Sequence, residues 1–469
     1  MSPDSKISPT EKRNFLERGL TTFAEVHAGE GLTAILLMLN LFLLLAAYLI
    51  IKTVREPLIL AEGGAVVKSY AAAGQALLLL IIVPIYSSLA SKVNRNKLIN
   101  WVTVFFISNL MVFYILAQFR VALGVAFFLW VGIFNLFVIA QFWSFANDIY
   151  TQEQGKRLFA IVAFGGSMGA ILGPGVAGWL FEPLGAYQLM LVSAGILGIC
   201  IVITNFVNIR EKRRSQVAVK KEDIEKPLGK EGGFKLVMGQ RYLLLIALLM
   251  LVLNLVNTTG EFILGKTVTA EAQKVVAMEE ERVVASGVSE GLTEADRKKI
   301  KLDFIAKFYA NFFFWVNLLA AMVQLFLVSR ILKYFGVAAA LFFLPIVALG
   351  AYSIMALIPI LSFVKFVKIL ENSTDYSLQN TARQALFLPT SREAKYKAKA
   401  AIDTFFVRIG DVLSAVLVYV GVQIALATSG FAAINIVLVF VWLLLILGIV
   451  REYKKLTSTE ADEQAALTR

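Results

Sequence analysis

Cysteine and histidine are almost absent from this chain: Cys200 and His27 are the single examples of each in 469 residues. A disulfide framework needs paired cysteines, so none is available. A zinc or copper centre needs a His/Cys cluster, and two isolated residues cannot form one. A Ser-His-Asp or Cys-His nucleophile would have to use His27, which lies in a polar N-terminal segment far from Cys200. Charge is also scarce. Asp, Glu, Lys and Arg make up 17% of the chain, against about 25% in soluble proteins. There is no P-loop, so ATP hydrolysis is not supported, and no cofactor is expected. In place of these features, 58% of the residues are hydrophobic and the formal net charge is +12. A soluble nucleic-acid binder is basic but not this apolar, so no nucleic-acid partner is expected. Long apolar runs and a lipid-bilayer setting remain.

A helix needs about 20 mostly apolar residues to cross the hydrocarbon core. Twelve runs meet or approach that length, near 31–51, 70–91, 98–119, 121–147, 158–181, 186–208, 242–265, 304–328, 337–358, 360–382, 400–427 and 430–450. The runs 360–382 and 400–427 are the least apolar. None alternates as a membrane β-strand does, so the expected class is an all-α integral membrane protein. No secretory signal peptide is visible. Residues 9–26 read either as an interfacial amphipathic helix or as a solvated tail.

Lys and Arg collect in alternate loops: Lys92, Arg95 and Lys97, then Lys156 and Arg157, ten in 209–241, Arg330 and Lys333, Arg392 to Lys399, and Arg451 to Lys455. With twelve spans all of these face one side, which places both termini in the cytoplasm of a multi-pass cell (inner) membrane protein. The charged stretch 209–241, with Pro227 and Gly229, reads as a cytoplasmic linker. The expected organisation is a cytoplasmic segment 1–30, a six-helix half 31–208, the linker, a second six-helix half 242–450 and a cytoplasmic tail 451–469. Within the second half, 267–303 holds eight acids and six Lys/Arg, with a Thr293-Glu294 start signal. It reads as an external helical hairpin, either shaping the mouth of a pathway or simply a tolerated insertion.

Twelve spans in a 6+6 division are the outline of a major facilitator-type transporter. Ser88-Leu-Ala-Ser91-Lys-Val-Asn94-Arg-Asn-Lys97 resembles the facilitator loop after span two, with Ser91 for its acid and Asn94 for its glycine. Gly169-Ala-Ile-Leu-Gly173-Pro174-Gly175-Val-Ala-Gly178 resembles the facilitator antiporter motif. Small residues at that spacing let helix backbones approach. Thr151 to Arg157 and Thr390 to Lys395, each an acid before a lysine, echo one another after spans four and ten.

Ionisable groups inside spans are costly and usually functional. Lys52 and Arg55 share a face at the end of span one, with Glu56 beside them and Pro57 expected to stop the helix. They read as an anion clamp or as snorkelling residues with a local partner. Glu261 in span seven could pair with a base of span one and gate the site, or form a structural ion pair. Span ten is polar from Glu371 through Asp375 and Gln379 to Arg383, so it must line a wet cavity. Arg383 suits a phosphate. Arg408 and Asp411 can neutralise each other. Phe142-Trp-Ser-Phe-Ala-Asn147 is an aromatic stripe, either packing or a stack for a base. Together these suggest a cavity with several bases and few acids, for a small anionic substrate.

Three stretches carry a further resemblance: Lys52–Glu56; Phe142 to Asn147 with Lys156-Arg157; and Tyr376-Ser-Leu through Arg383 and Leu388-Pro389 to Lys397-x-Lys399-Ala-Ala-Ile-Asp403. They resemble the ATP/ADP translocases of plastids and intracellular bacteria. The resemblance implies a facilitator-like fold and nucleotide exchange. It matches Arg55 to a binding lysine in helix one, Glu261 to a glutamate in helix seven and Arg383 to a lysine in helix ten. A glutamate expected midway along helix four has no counterpart, since 129–141 holds no acid. The expectation is a monomeric alternating-access antiporter for nucleotides. Arg55 and Arg383 would bind phosphates from opposite halves and Lys52 would add to the field. Asn147 and Gln379 would orient polar groups, and Glu56 and Glu261 would gate. The alternatives are a carrier of another organic or phosphorylated anion, proton-coupled through Glu261 or Asp375, and a non-transporting scaffold or sensor. An enzyme is not expected.

Overall fold

Apolar stretches with no water to satisfy their backbone must bond internally, and here they do so as helices. The computed structural model describes residues 17, 25–90, 93, 95–119, 121–215, 233–286, 291–391 and 394–467, and these are helical apart from short connections, with no strand among them. Four helices come first: α1 (Gly31–Glu62), α2 (Gly64–Ala90), α3 (Arg95–Gln118) and α4 (Gly124–Ile149). α5 (Gln152–Ser215) is kinked at Gly185, whose φ of 79° breaks the helical path. After a short α6 (Gly233–Gly239) come α7 (Arg241–Ala285), α8 (Glu294–Val323) and α9 (Ser329–Leu357). α9 is broken at Gly336, with φ 77°. Glycine takes that left-handed conformation without a Cβ clash, so each break turns one long helix into two segments. The chain ends with α10 (Leu361–Thr374), α11 (Asn380–Ala385), α12 (Lys399–Ala401), α13 (Val407–Gln423) and α14 (Thr428–Leu467). Among the described residues, nine helical stretches are long and apolar enough to cross a membrane.

Two apolar cores organise the bundle. One is built from residues between Val26 and Val207, with Ala306 added. The other is built from residues between Leu236 and Ile449, with Ile59, Leu60, Ala65, Ala71 and Phe128 added. The exchanged residues show where the two packings meet: at the α1 end, the α2 start and α8.

Several boundaries differ from the sequence reading. Pro57 does not stop α1, which continues to Glu62 with the proline inside. Proline removes one N–H and leaves the Thr53 carbonyl without its helical donor. Apolar surroundings and neighbouring helices still hold the segment helical, and the Thr53 hydroxyl donates to Leu49 O at 2.8 Å. α2 starts at Gly64, six residues before the expected span, which brings Lys68 inside the helix. The 267–303 stretch is not a separate hairpin. α7 runs on for 45 residues, about 67 Å at 1.5 Å per residue, against about 30 Å of hydrocarbon. Its far end and the start of α8 form the two arms. Thr293 caps α8 in a reciprocal capping box with Asp296, as the start signal implied. The expected linker start at 209 is still helical, and so is the expected tail up to Leu467. Most of segment 1–30, the centre of the linker (216–232), and Lys92, Asn94, Arg120, Arg392 and Glu393 lie outside the described residues.

The Gly169–Gly178 motif does the packing its spacing implied. A Cβ on Gly169 would sit 2.2 Å from the Phe42 carbonyl of α1, and one on Gly178 would sit 2.9 Å from the Ala310 Cβ of α8. One face of α5 therefore touches α1 and, further along, α8.

Candidate functional site: an ionic cavity between two cores

α1, α2, α4, α7, α8, α10 and α13 converge on a cavity of about 180 Å³ whose walls include Lys52, Arg55, Glu56, Lys68 and Glu261. Each comes from an apolar helix, so each charge is held away from bulk water and has to find a local partner.

The partners form a chain. Arg55 Nε donates to Glu56 Oε1 at 3.0 Å, and Lys68 Nζ lies 2.6 Å from Glu56 Oε2. Lys68 also reaches Glu261 at 3.8 Å. Glu261 is 3.7 Å from Lys368 and accepts from Asn372 Nδ2 at 3.1 Å. Lys368 is 3.0 Å from Glu371, one helical turn away, and donates to Asn257 at 3.1 Å. Tyr352 Oη closes the chain, donating to Glu371 at 2.8 Å. Glu56 is 1% exposed and Lys368 0%. Removing one member of such a buried set strands the others, at a cost of several kcal/mol. Glu261 stands in the middle, at nearly equal distance from Lys68 of α2 and Lys368 of α10.

Lys52 is different. Its Nζ lies over the Phe313 ring at 4.5 Å and 5.9 Å from the Tyr376 ring centroid. Among the described residues no carboxylate lies within ion-pair distance of it. Arg55, already paired, also stacks on Phe128 at 4.5 Å.

A second cavity of about 320 Å³ is lined by Leu253, Asp375, Tyr376, Gln379, Asn380 and Arg383. Tyr376 lines both cavities. The segment Asp375–Gln379, between α10 and α11, is a π-helical turn. Its wider turn shifts the register between Glu371 and Arg383, and such bulges recur at functional sites. Gln379 is 2% exposed, and both its amide atoms lack a partner among the described residues. Arg383 donates to Asn380 Oδ1 at 3.1 Å.

The placement of the sequence-picked residues is mixed. Lys52, Arg55, Glu56 and Glu261 meet at the first cavity, and Asp375, Gln379 and Arg383 at the second. Arg55 and Arg383 therefore do not share one cavity. Asn147 is exposed at the end of α4 and lines neither. The aromatic stripe before it is packing: Phe142 and Phe145 are each 4% exposed in the first core, and Trp143 meets Phe159 edge-on at 5.6 Å. Glu261 pairs with Lys68 of α2, not with a base of α1. The expectation of few acids also fails, because Lys52, Arg55 and Lys68 face Glu56, Glu261 and Asp411 across the first cavity. Asp411 itself accepts from Arg408 at 3.1 Å, Asn254 at 2.8 Å and Thr258 at 2.9 Å.

Sequence reasoning missed Lys68, Lys368 and Tyr352. A charge inside an apolar run was the available signal for both lysines. Lys68 precedes the apolar run 70–91 that marks its helix, and Lys368 lies in the first half of span ten, away from the polar run that begins at Glu371.

The family described as TLC ATP/ADP transporter matches residues 125–456. The chain belongs to this family. It is a family of transporters and not of enzymes. Among curated relatives, ADP,ATP carrier protein 1 of Chlamydia trachomatis is 24% identical over 65% of this chain. ADP,ATP carrier protein 5 of Rickettsia bellii is 22% identical over 69% of this chain and 68% of its own. The chain spans about 60% of the length of the chlamydial relative. Lys52, Arg55 and Lys68 lie outside the residues matched to the family. Among solved structures, the nucleoside transporter NupG, in a mutant form, superposes with a TM-score of 0.60 at 9% identity, covering 89% of this chain and 99% of that one. A transporter of the POT family in complex with 5-aminolevulinic acid gives 0.57 at 13% identity, covering 90% and 96%. At these identities the likeness concerns the fold. The chain has an all-α fold of major facilitator type, with helices long and apolar enough to cross a membrane.

Proposed function

We propose that this transporter is an alternating-access antiporter exchanging nucleotides of the ATP/ADP kind across a cell membrane. The observation that carries the reading is Lys52: a cation at the wall of a cavity between two cores, held over aromatic rings, with no carboxylate among the described residues within ion-pair distance. A phosphate group is the complement of such a seat. Arg55 and Lys68 flank it but are bound to Glu56, so an incoming phosphate has to compete for them. That competition loosens Lys68 from Glu261, an ion pair between α2 and α7. Glu56 and Glu261 then act as gating residues, re-forming their pairs once the substrate leaves. Phe128, Phe313 and Tyr376 offer ring faces on which a base can stack.

The first cavity is smaller than the roughly 300–1,000 Å³ that small-molecule sites usually occupy. Movement of Tyr376 would join it to the second cavity and make room for a nucleotide. Gln379, Asp375 and Arg383 would then meet the substrate at that end, with Arg383 as a second phosphate ligand. In this reading twelve segments cross the membrane in two six-segment halves. The basic loops and both termini face the cytoplasm of a bacterial inner membrane. The working unit is a monomer with no nucleic-acid partner.

The test is a melting-temperature panel on the detergent-purified protein with ATP, ADP, other nucleotides, sugar phosphates, phosphate and dicarboxylates. A ligand that binds the folded state raises the midpoint by mass action. Nucleotides are expected to shift it, Lys52→Met is expected to abolish the shift while the protein stays monodisperse, and liposomes preloaded with ADP are expected to take up ATP. A shift with a dicarboxylate or sugar phosphate alone would transfer the function to a carrier of that anion. No shift with any anion, and no exchange, would favour a non-transporting membrane protein.

A further inference from the structure

On the back of the helices that line the first cavity, α8 and α10 leave a groove of about 370 Å³ open to the outer face of the bundle. We infer that this groove is a binding site for an anionic phospholipid, with the headgroup at Lys365 and one acyl chain along α8 and α10. Three observations support it. The groove is apolar along most of its length: Leu318, Met322, Phe366 and Leu370 line it. Phe366 is 59% exposed and Met322 50%, so these walls face hydrocarbon and not a protein core. From Asn311 to Met322 the groove follows α8 for eleven residues, about 16 Å at the helical rise, which suits an acyl chain.

The third observation is the polarity of its ends. Lys365 Nζ donates to Asn311 Oδ1 at 2.6 Å and sits 5.5 Å from the Phe308 ring centroid. Phe308 is nearly one turn from Asn311 towards the hairpin, so the ammonium points to that end of the bundle, as a snorkelling lysine does. Its partners among the described residues are a neutral amide and a ring, so no carboxylate among them neutralises the positive charge there. A membrane-surface cation beside an apolar groove selects an anionic headgroup. A nucleotide is excluded by the setting, since the groove gives it one cation and a wall of exposed apolar side chains.

The experiment uses the full chain in mixed micelles, titrated with phosphatidylglycerol or with phosphatidylcholine of the same acyl chains. Binding is read by native mass spectrometry and by the melting midpoint. The wild type is expected to hold phosphatidylglycerol more tightly. Lys365→Met is expected to lose about fivefold in that affinity, the size of one surface charge, with no change for phosphatidylcholine. Lys365→Arg should keep the preference. Leu318→Trp, which fills the groove but keeps the lysine, should weaken both lipids. Equal binding of the two lipids by the wild type, or a preference that survives Lys365→Met, would overturn the inference. If Lys365→Met does not fold, the Lys365→Arg and Leu318→Trp pair still decides, because a phosphatidylglycerol affinity unaffected by groove filling rules the site out.

Discussion

The two halves of the bundle hold themselves together in different ways. In the first, helices touch through backbone and rings. The Gly169 Cα approaches the Phe42 carbonyl of α1 so closely that a Cβ would lie 2.2 Å from it. Phe106, Phe127, Trp130 and Phe134 form a ring cluster with centroids 5.1–5.6 Å apart. The second adds irregular turns. The Lys368–Glu371 pair sits in its core, and all four π-helical segments among the described residues lie in it, at Gln324–Val328, Asp375–Gln379, Ala394–Ala398 and Ile402–Phe406. Close-packed backbone has one good arrangement. A π turn and a shared carboxylate have more than one, at modest cost. The contrast suggests a stiff half carrying Lys52 and Arg55, against which an adjustable half moves Tyr376 and Glu261.

The largest expected effect is on the stiff half. Gly169→Leu must push α5 off α1 along the shared backbone contact, so the purified protein is expected to aggregate or lose its cooperative melt. Wild-type behaviour on size exclusion would show that the contact is not needed. Next comes the second half. Lys368→Met leaves Glu371 and Glu261 short of a cation and should cost about 3–5 kcal/mol. The double variant Lys368→Met/Glu371→Leu should recover much of it, because the desolvated charges leave together. A double variant no more stable than the single one would mean the pair is not the source of the cost. Thermal melts in detergent read both.

Smaller effects lie outside the membrane. Thr293→Ala removes the cap of α8 and should cost about 1 kcal/mol. It is expected to raise hydrogen exchange in the first turn of α8 only, and protection changes spreading into the cavity helices would contradict that. The smallest concerns Glu30. Burial pushes its carboxyl up, but hydrogen bonds from Arg157, the His27 backbone and Gln154, with the Arg157 charge, more than offset this and hold it below the usual carboxylate range. A depressed carboxylate adds stability that is present above the unfolded value, near 4.3, and fades as pH falls through the folded one. Between pH 5 and 3 the wild type should therefore lose more stability than Glu30→Gln. Parallel pH profiles for the two would remove Glu30 from the account.

Much of the fold was written in apolar run length. Backbone groups in lipid must bond within helices or closed barrels, and these runs lack a barrel's alternation, so the helices and the α8 cap follow from residues read locally. The Gly169–Gly178 stripe was equally legible, because small residues at that spacing have one structural use. The site was legible in part. Lys52, Arg55, Glu56, Glu261 and Arg383 stood out as charges inside or at the ends of apolar runs. Which charge meets which did not. The sequence named Glu261 and could not say that its partners are Lys68 and Lys368, since pairing depends on how seven helices are turned about their axes. The same rotation put Asn147 outside both cavities and turned the Phe142 stripe into core, though its residues were as plausible on paper as those of span ten. Local chemistry determined that this chain forms membrane helices carrying buried charge. Only tertiary packing decided which of those charges are already neutralised by a neighbour and which, like Lys52, face a cavity without one.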